Sequence, residues 1–275
     1  METKNGKLIS VIMAAYEAEK YIAESIESIR EQTWPQWELV ICDDASSDGT
    51  YEILLRYAEQ DERITVLRNE RNLGAAATRN RCIQGSRGDY IAVQDGDDVS
   101  EPDRLAVLMA RMERGGCDFV SSAHYLFDEG GRYGTDVPRE EYPGKGSFLS
   151  GLPFCHAATL FTRACLDAVQ GYRVSPETAR NEDYDLFMRL YAAGYKGCNV
   201  QEVLYGYRVD EAALRRRTFR ARIDECRVRA YGFRRLGILF PRGWLYVLRP
   251  IAAHLYWRVR PAGQGRGTGP GDLCT

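Results

Sequence analysis

Three histidines in 275 residues leave little material for a histidine-rich metal site, and no ligand partner is spaced to the one of interest, His156. No uninterrupted apolar run reaches the roughly 20 residues of a membrane span, so an integral membrane protein is not expected. No basic-then-apolar leader precedes the first strand-like run, so no secretory signal is read and a reducing, cytoplasmic setting is expected. Eight cysteines occur, none as Cys-x-x-Cys, and several sit in apolar runs; buried free thiols are expected. No internal repeat is visible. With 44% hydrophobic and 28% charged residues, the chain suits one large soluble domain or a domain with an appendage. The formal net charge of −2 hides a split. From Arg208 onward there are 15 Lys/Arg against 5 Asp/Glu, whereas the remainder carries 22 against 34. Two segments with different partners are implied.

What the chain does have is centred on Tyr90-Ile91-Ala92-Val93-Gln94-Asp95-Gly96-Asp97-Asp98. A β-branched apolar strand ends in three carboxylates within four positions. An ionised carboxylate is too costly to bury unpaired, so these acids either face solvent at the strand's carboxyl end or share a cation. Mg²⁺ and Mn²⁺ take oxygen ligands, usually one or two carboxylates plus substrate phosphates. The plain alternative is an acidic turn that breaks the strand and caps the next helix.

The neighbouring segments bear on that choice. Leu8–Ala14 is a buried-strand run, followed by a helical pattern through Tyr21, Ile22, Ser25, Ile26 and Ile29. Trp37–Cys42 is a second strand, and it too ends in acids at Asp43-Asp44. Ser46, Ser47 and Asp48 offer caps for a helix with Tyr51, Leu54, Leu55 and Ala58 on its apolar stripe. Ile64–Leu67 is a third strand, and Asn72-Leu73-Gly74 leads into a helix through Arg79 and Ile83. After the central strand a helix starts at Pro102, with Leu105, Leu108, Met109 and Met112 inward. Cys117–Ser122 and Phe154–Phe161 read as strands, Ala123–Ser150 as a hairpin or loop over the site. A helix follows Asn181-Glu182-Asp183, and Asn199–Tyr207 is a last strand. Alternating strands and helices imply an α/β sheet covered on both faces. Ligands of such sheets gather outside the strands' carboxyl ends. Tyr16-Glu17, Asp43-Asp44 and Asp95-Asp97-Asp98 all fall there, which favours the ligand reading.

The order of motifs over Leu8–Arg208 resembles that of the family 2 glycosyltransferases, inverting enzymes of the GT-A fold. The matching residues are Ser10-Val11-Ile12-Met13, Gln32-Thr33 before Trp37-Glu38-Leu39-Val40, and Asp43-Asp44-x-Ser46-x-Asp48-Gly49-Thr50. Asn72-x-Gly74 with Arg79, Asp95-x-Asp97-Asp98 with Pro102, and Gly171-Tyr172 before Glu182-Asp183 complete the set. The resemblance implies a Rossmann-like, mostly parallel sheet. It further implies that Ala14, Tyr16, Glu17 and Asp44 line the nucleoside pocket and that Arg79 lies near the base or diphosphate. Asp95 would meet the ribose or a Mn²⁺ or Mg²⁺ ion, Asp97 would be the main metal ligand, and Asp183 the catalytic base. A metal would neutralise the leaving diphosphate, while a carboxylate across the cleft deprotonates the acceptor hydroxyl. His156 and Glu182 are acceptor-side candidates, Glu182 also as an alternative base. His156 reads equally as a satisfied buried histidine, and Asp183 as a helix N-terminal carboxylate. The chain departs from the family in lacking Pro and Asn around Ala14 and Glu17. It also has no His after Tyr207-Arg208, where Asp210 stands nearby.

These readings combine into a catalytic domain over 1–210, a basic, aromatic helical appendage over 211–260 and a disordered tail over 261–275. The expected activity is metal-dependent transfer from a nucleotide-sugar, of the UDP type, to a saccharide or lipid-linked acceptor in surface glycan synthesis. Nucleotidyl transfer is the first rival, but Ala14-Ala15-Tyr16-Glu17 offers no glycine-rich phosphate loop. A non-catalytic sugar-nucleotide-binding protein is the second, against which every candidate carboxylate is present. The appendage, with Arg215-Arg216-Arg217, Trp244, Tyr246, Tyr256 and Trp257, suits an anionic membrane surface. Its helical sequence shows no clean apolar face; packing on the acidic core or mediating a dimer is its alternative, and nucleic acid is not expected.

Overall fold

Near-continuous apolar runs make strands only where both faces of a sheet are covered, and every residue of Trp37–Asp43 is buried. The computed structural model describes residues 7–209, 219–238 and 241–252. Its first half runs β1 (Ile9–Ala15), α1 (Ile22–Arg30), β2 (Trp37–Asp43), α2 (Thr50–Gln60), β3 (Ile64–Arg68) and α3 (Ala75–Gly85). Then come β4 (Tyr90–Asp95), the short β5 (Val99–Ser100) and α4 (Arg104–Glu113). The second half runs β6 (Phe119–Asp128), β7 (Gly131–Asp136), β8 (Leu160–Thr162), α5 (Arg163–Ala168), α6 (Glu182–Ala192) and β9 (Gly197–Arg208). Helices α7 (Phe219–Leu236) and α8 (Arg242–Val247) follow.

The strands form one sheet in the order β3-β2-β1-β4-β8-β6-β9-β5, with β7 paired to β6. Pairing is parallel through β3-β2-β1-β4 and between β6 and β9; β8, β7 and β5 run antiparallel to their neighbours. Alternate residues feed two cores. Val11, Met13, Leu39 and Ile41 pack with Ile22, Ile26 and Ile29 of α1 and Leu105, Leu108 and Met109 of α4. Ile12, Val40 and Cys42 face Cys82 and Ile83 of α3 and an aromatic group from the second half. In that group Phe187 lies with ring centroids 5.2 Å from Phe119, 5.0 Å from Phe154 and 5.6 Å from Phe161. Each fully buried Phe of this kind contributes about 1.5–3 kcal/mol of transfer free energy.

Several expectations need correction. Phe154–Phe161 is not one strand: a 3-10 turn occupies His156–Ala158, and only Leu160–Thr162 pairs. Side-chain hydroxyls draw the chain into that turn, Ser121 Oγ bonding Cys155 N at 3.1 Å and Thr159 Oγ1 donating to Cys155 O at 2.7 Å. The strand expected at Cys117–Ser122 continues to Asp128, because Ala123–Phe127 pairs with β9. The helix expected from Pro102 begins at Arg104. Leu55 faces solvent rather than the core. Ser46 and Ser47 cap nothing on α2; both bond Glu17, and Asp48 alone receives the Thr50 N–H, at 3.1 Å.

The basic appendage does have an apolar face. Cys226, Val228, Phe233 and Leu236 of α7 join the second core. A buried ion pair, Glu225 with Arg229 at 3.0 Å, sits beside them. Gly232 lets α7 approach α6 closely, since a Cβ there would meet Met188 Sδ at 2.2 Å. Asp210, Arg215–Arg217, Tyr256, Trp257 and the 261–275 tail lie outside the described residues.

Candidate active site

Three strands end level. In register, Ala14 is opposite Asp95 on one side and Cys42 on the other, and Ala15 is opposite Asp43. A strand end exposes backbone and turn residues to solvent at one edge of the sheet, which is where the acids lie. Ala14 is half-buried there, and Tyr16 is exposed beside it. Glu17 takes the left-handed region at φ 51°, and its Oε1 accepts from Ser47 N at 2.8 Å and Ser47 Oγ at 2.9 Å. Backbone of this kind is costly for a non-glycine residue and persists where its surroundings hold it.

Asp44 organises the next loop. Its carboxylate accepts from Asn69 Nδ2 at 2.6 Å, Leu73 N at 2.8 Å and Gly74 N at 2.8 Å. A carboxylate has about four lone-pair directions, so one remains for a further donor. Gly74 sits at φ 84° where this loop enters α3, a conformation glycine adopts without Cβ strain. Asp43, beneath, pairs with Arg68 at 3.1 Å.

The acids after β4 are each held differently. Asp95 Oδ1 accepts from Arg79 Nη2 at 2.7 Å, and the same guanidinium gives Nη1 to Glu182 Oε1 at 2.8 Å. Despite burial, Arg79 beside it keeps the Asp95 carboxyl below its ordinary range. Asp97 opens to solvent and its carboxylate has no hydrogen bond or ion pair with another side chain among the described residues. Crowding by the protein and the like charge of Asp95 push it up to about 6. Asp98 is buried, accepts from Arg208 N at 2.7 Å through Oδ1, and leaves Oδ2 without a hydrogen-bond partner. Burial and its two acidic neighbours push its carboxyl up.

This donor set fits a hard divalent cation. Asp97 is an exposed carboxylate with no basic side chain paired to it among the described residues, and Oδ2 of the next residue, Asp98, also lacks a hydrogen-bond partner. No three His, Cys, Asp or Glu gather into a metal cage among the described residues. Any cation held here would therefore need further oxygens from phosphate and water, as Mg²⁺ and Mn²⁺ sites commonly do.

On the far side stands Asp183, second residue of α6. It is half-buried, with Tyr184 N donating to its Oδ1 at 2.7 Å. Burial and adjacent Glu182 push its carboxyl up to about 7, within the range of a working general base. Arg79 thus brings Asp95, Glu182 and the start of α6 together. His156 is buried, bonds Tyr172 Oη through Nε2 at 2.7 Å, and is pushed down to about 3 by burial and then by Arg79. It is a neutral, satisfied histidine in the floor of the site.

Residues that sequence reasoning passed over also shape this edge. Arg208 Nε donates to Asp97 O at 2.7 Å, and its guanidinium stacks 4.2 Å from both Tyr21 and Phe127. Arg104 is fully buried and donates to Gln94 Oε1 at 2.8 Å and Ser100 Oγ at 2.6 Å, while Tyr205 Oη accepts from Asp95 N at 3.2 Å. A signal for Arg104 existed: it shares the inward stripe of α4 with Leu108, four residues on. Tyr205 carried none, and Tyr172 stood only in the Gly171-Tyr172 motif, with no role read for it. A cavity of about 850 Å³ opens elsewhere, between α5, α6 and α7, lined in part by Arg173, Arg189 and Arg235. The first two of these are already paired with Asp185.

Residues 10–164 match the family model described as Glycosyl transferase family 2. EpsE of Bacillus subtilis (strain 168), named as a glycosyltransferase, is 39% identical over 249 residues, covering 90% of this chain and 89% of its own. The UDP-Glc:alpha-D-GlcNAc-diphosphoundecaprenol beta-1,3-glucosyltransferase WfgD of Escherichia coli is 29% identical over 218 residues, 78% of this chain and 81% of its own. Among solved structures, Staphylococcus aureus TarS 1–349 in complex with UDP-GlcNAc superposes with a TM-score of 0.70 at 18% identity, over 92% of this chain and 76% of that one. The mannosyltransferase PcManGT of Pyrobaculum calidifontis, in complex with GDP-Man and Mn²⁺, gives 0.62 at 17% identity, over 94% and 76%.

Proposed function

Because the chain belongs to glycosyl transferase family 2, we propose that it moves a sugar from a UDP-sugar to a lipid-linked saccharide with inversion, in the building of a cell-surface glycan. The observation that carries this reading is Asp183, a half-buried carboxylate pushed up to about 7, joined through Glu182 and Arg79 to the donor-side Asp95. A base must be unprotonated to act. Asp183 takes the acceptor hydroxyl's proton as that oxygen attacks the anomeric carbon from the face opposite the diphosphate, with no covalent intermediate. Transfer is accordingly lost as pH falls through about 7.

On the donor side, Ala14, Tyr16, Glu17 and Asp44 border the space for the nucleoside, the free lone pair of Asp44 facing a ring N–H. Arg79 keeps Asp95 ionised beside the ribose. Asp97, with Asp95, would hold Mn²⁺ or Mg²⁺, which when bound neutralises charge on the leaving diphosphate. The names of WfgD and TarS bear on the choice of UDP and of a lipid-linked acceptor, and that of PcManGT on Mn²⁺.

A lipid-linked acceptor calls for a protein held at the cytoplasmic face of a membrane. No helix among the described residues is long and apolar enough to cross one. The 211–260 segment supports peripheral attachment instead: α8 leaves Trp244 56%, Leu245 77% and, just beyond it, Leu248 51% exposed. Titration with UDP in the presence and absence of Mn²⁺, followed by a nucleotide-sugar hydrolysis panel, tests the assignment. Manganese-dependent UDP binding with hydrolysis of one donor supports it; hydrolysis of none, with no UDP binding, removes it.

A further inference from the structure

Glu182 and Asp183 are adjacent carboxylates on the first turn of α6, and their surroundings assign them different tasks. Neighbouring helix residues point about 100° apart, so the two do not share one site. Glu182 Oε1 takes a charge-assisted bond from Arg79 at 2.8 Å, so that oxygen is committed to the ion pair rather than to an acceptor. Arg79 comes from α3, is only 8% exposed on its side chain, and spends its other amino group on Asp95 at 2.7 Å. Its guanidinium lies 5.8 Å over the ring of Tyr172. A planar fork of this kind fixes the relative placement of both its partners. The same first turn is anchored on another side by Asp185, paired with Arg173 at 2.8 Å and Arg189 at 2.6 Å. Glu182 is thus the link from this turn to the donor strand.

We propose that Glu182 is a positioning residue: the Asp95–Arg79–Glu182 bridge sets the first turn of α6, and with it Asp183, against the donor strand. This rests on Asp183 being the base. Among the described residues, the charged and titratable groups facing Asp183 include Glu182 and Tyr184 on α6, Arg79 on α3, and Tyr172 on the loop before α6. Glu182 raises the Asp183 carboxyl and Arg79 lowers it, so the bridge tunes the base as well as placing it.

The test compares Glu182→Gln, Glu182→Asp and Asp183→Asn in full-length protein, following transfer against pH, UDP affinity and thermal unfolding. Glu182→Gln keeps size but removes charge. Its kcat falls about 10- to 100-fold, as expected of a misplaced base, UDP affinity changes little, and the acid limb of the rate profile moves to lower pH. Glu182→Asp restores the charge with a shorter reach, so its acid limb stays near the wild-type position while kcat remains reduced. Three results overturn the proposal. A Glu182→Gln loss as deep as that of Asp183→Asn, with no acid limb left, makes Glu182 the base. Lowered thermal stability with unchanged kcat and unchanged acid limb makes its role structural only. Wild-type transfer by Asp183→Asn removes the base assignment itself, and the positioning role with it.

Discussion

The donor side and the base side of this molecule are built on different principles. From β1 to α4 the chain is a regular α/β unit whose acids stand at the ends of parallel strands. There a carboxylate is placed by the sheet's own geometry, and local sequence suffices to find it. From β6 to α8 the sheet is mixed, β8 is three residues long, and the proposed base, Asp183, sits on a helix fixed by long-range ion pairs and an aromatic core. Its position is a tertiary product. The lesson is that one half of the site is rigid by topology and the other by packing and charge, with Arg79 between them.

On the donor side the expected effect is large. Asp97→Ala removes the carboxylate best placed for a cation, whose charge stabilisation is worth several kcal/mol. Donor turnover should fall by about 10²–10³-fold, and the Mn²⁺ dependence of UDP binding should vanish, as read by calorimetry. If the variant binds UDP with unaltered Mn²⁺ dependence, the strand-end acids do not perform the task assigned to that half.

The base side is exposed to a loss of packing instead. Phe187 is fully buried on α6 among three other rings, so Phe187→Ala should cost about 3–5 kcal/mol of stability. Chemical denaturation measures this directly. A cost below about 1 kcal/mol, the range of well-tolerated swaps, would mean that packing does not hold α6.

The smallest effect concerns α8. Replacing Leu245 with Glu puts a negative charge on the most exposed apolar side chain of that helix, with little consequence for folding. Sedimentation with anionic vesicles at low salt should weaken by about 1–3 kcal/mol, the loss of one buried Leu's transfer energy, and wild-type binding should decline with salt. Full-length protein that ignores such vesicles at low salt would show that this surface has no membrane role.

The same contrast explains what could be read before the fold was known. Strands β1, β2, β3 and β4, and the acidic ends of β1, β2 and β4, were legible because buried parallel strands are written as apolar runs, closed by turn residues. Asp183 was singled out through its motif rather than its environment. The turn at His156–Ala158 escaped because Phe154–Phe161 is apolar throughout, and hydroxyls of Ser121 and Thr159 overrule that pattern. The apolar face of α7 was masked by its arginines, one of which, Arg229, is buried by pairing with Glu225. Arg208, Tyr205 and Tyr172 act through partners distant in sequence, and no spacing rule reaches those.

Asp183→Asn tests the division of labour most directly, because the amide keeps the carboxylate's shape and loses its basicity. UDP affinity and its Mn²⁺ dependence should match wild type, while transfer falls about 10²–10⁴-fold, the usual worth of a general base. The acid limb expected of wild type near pH 7, from the raised Asp183 carboxyl, should disappear with it. Transfer above about a tenth of wild type, with the acid limb intact, would contradict the account and move the base elsewhere.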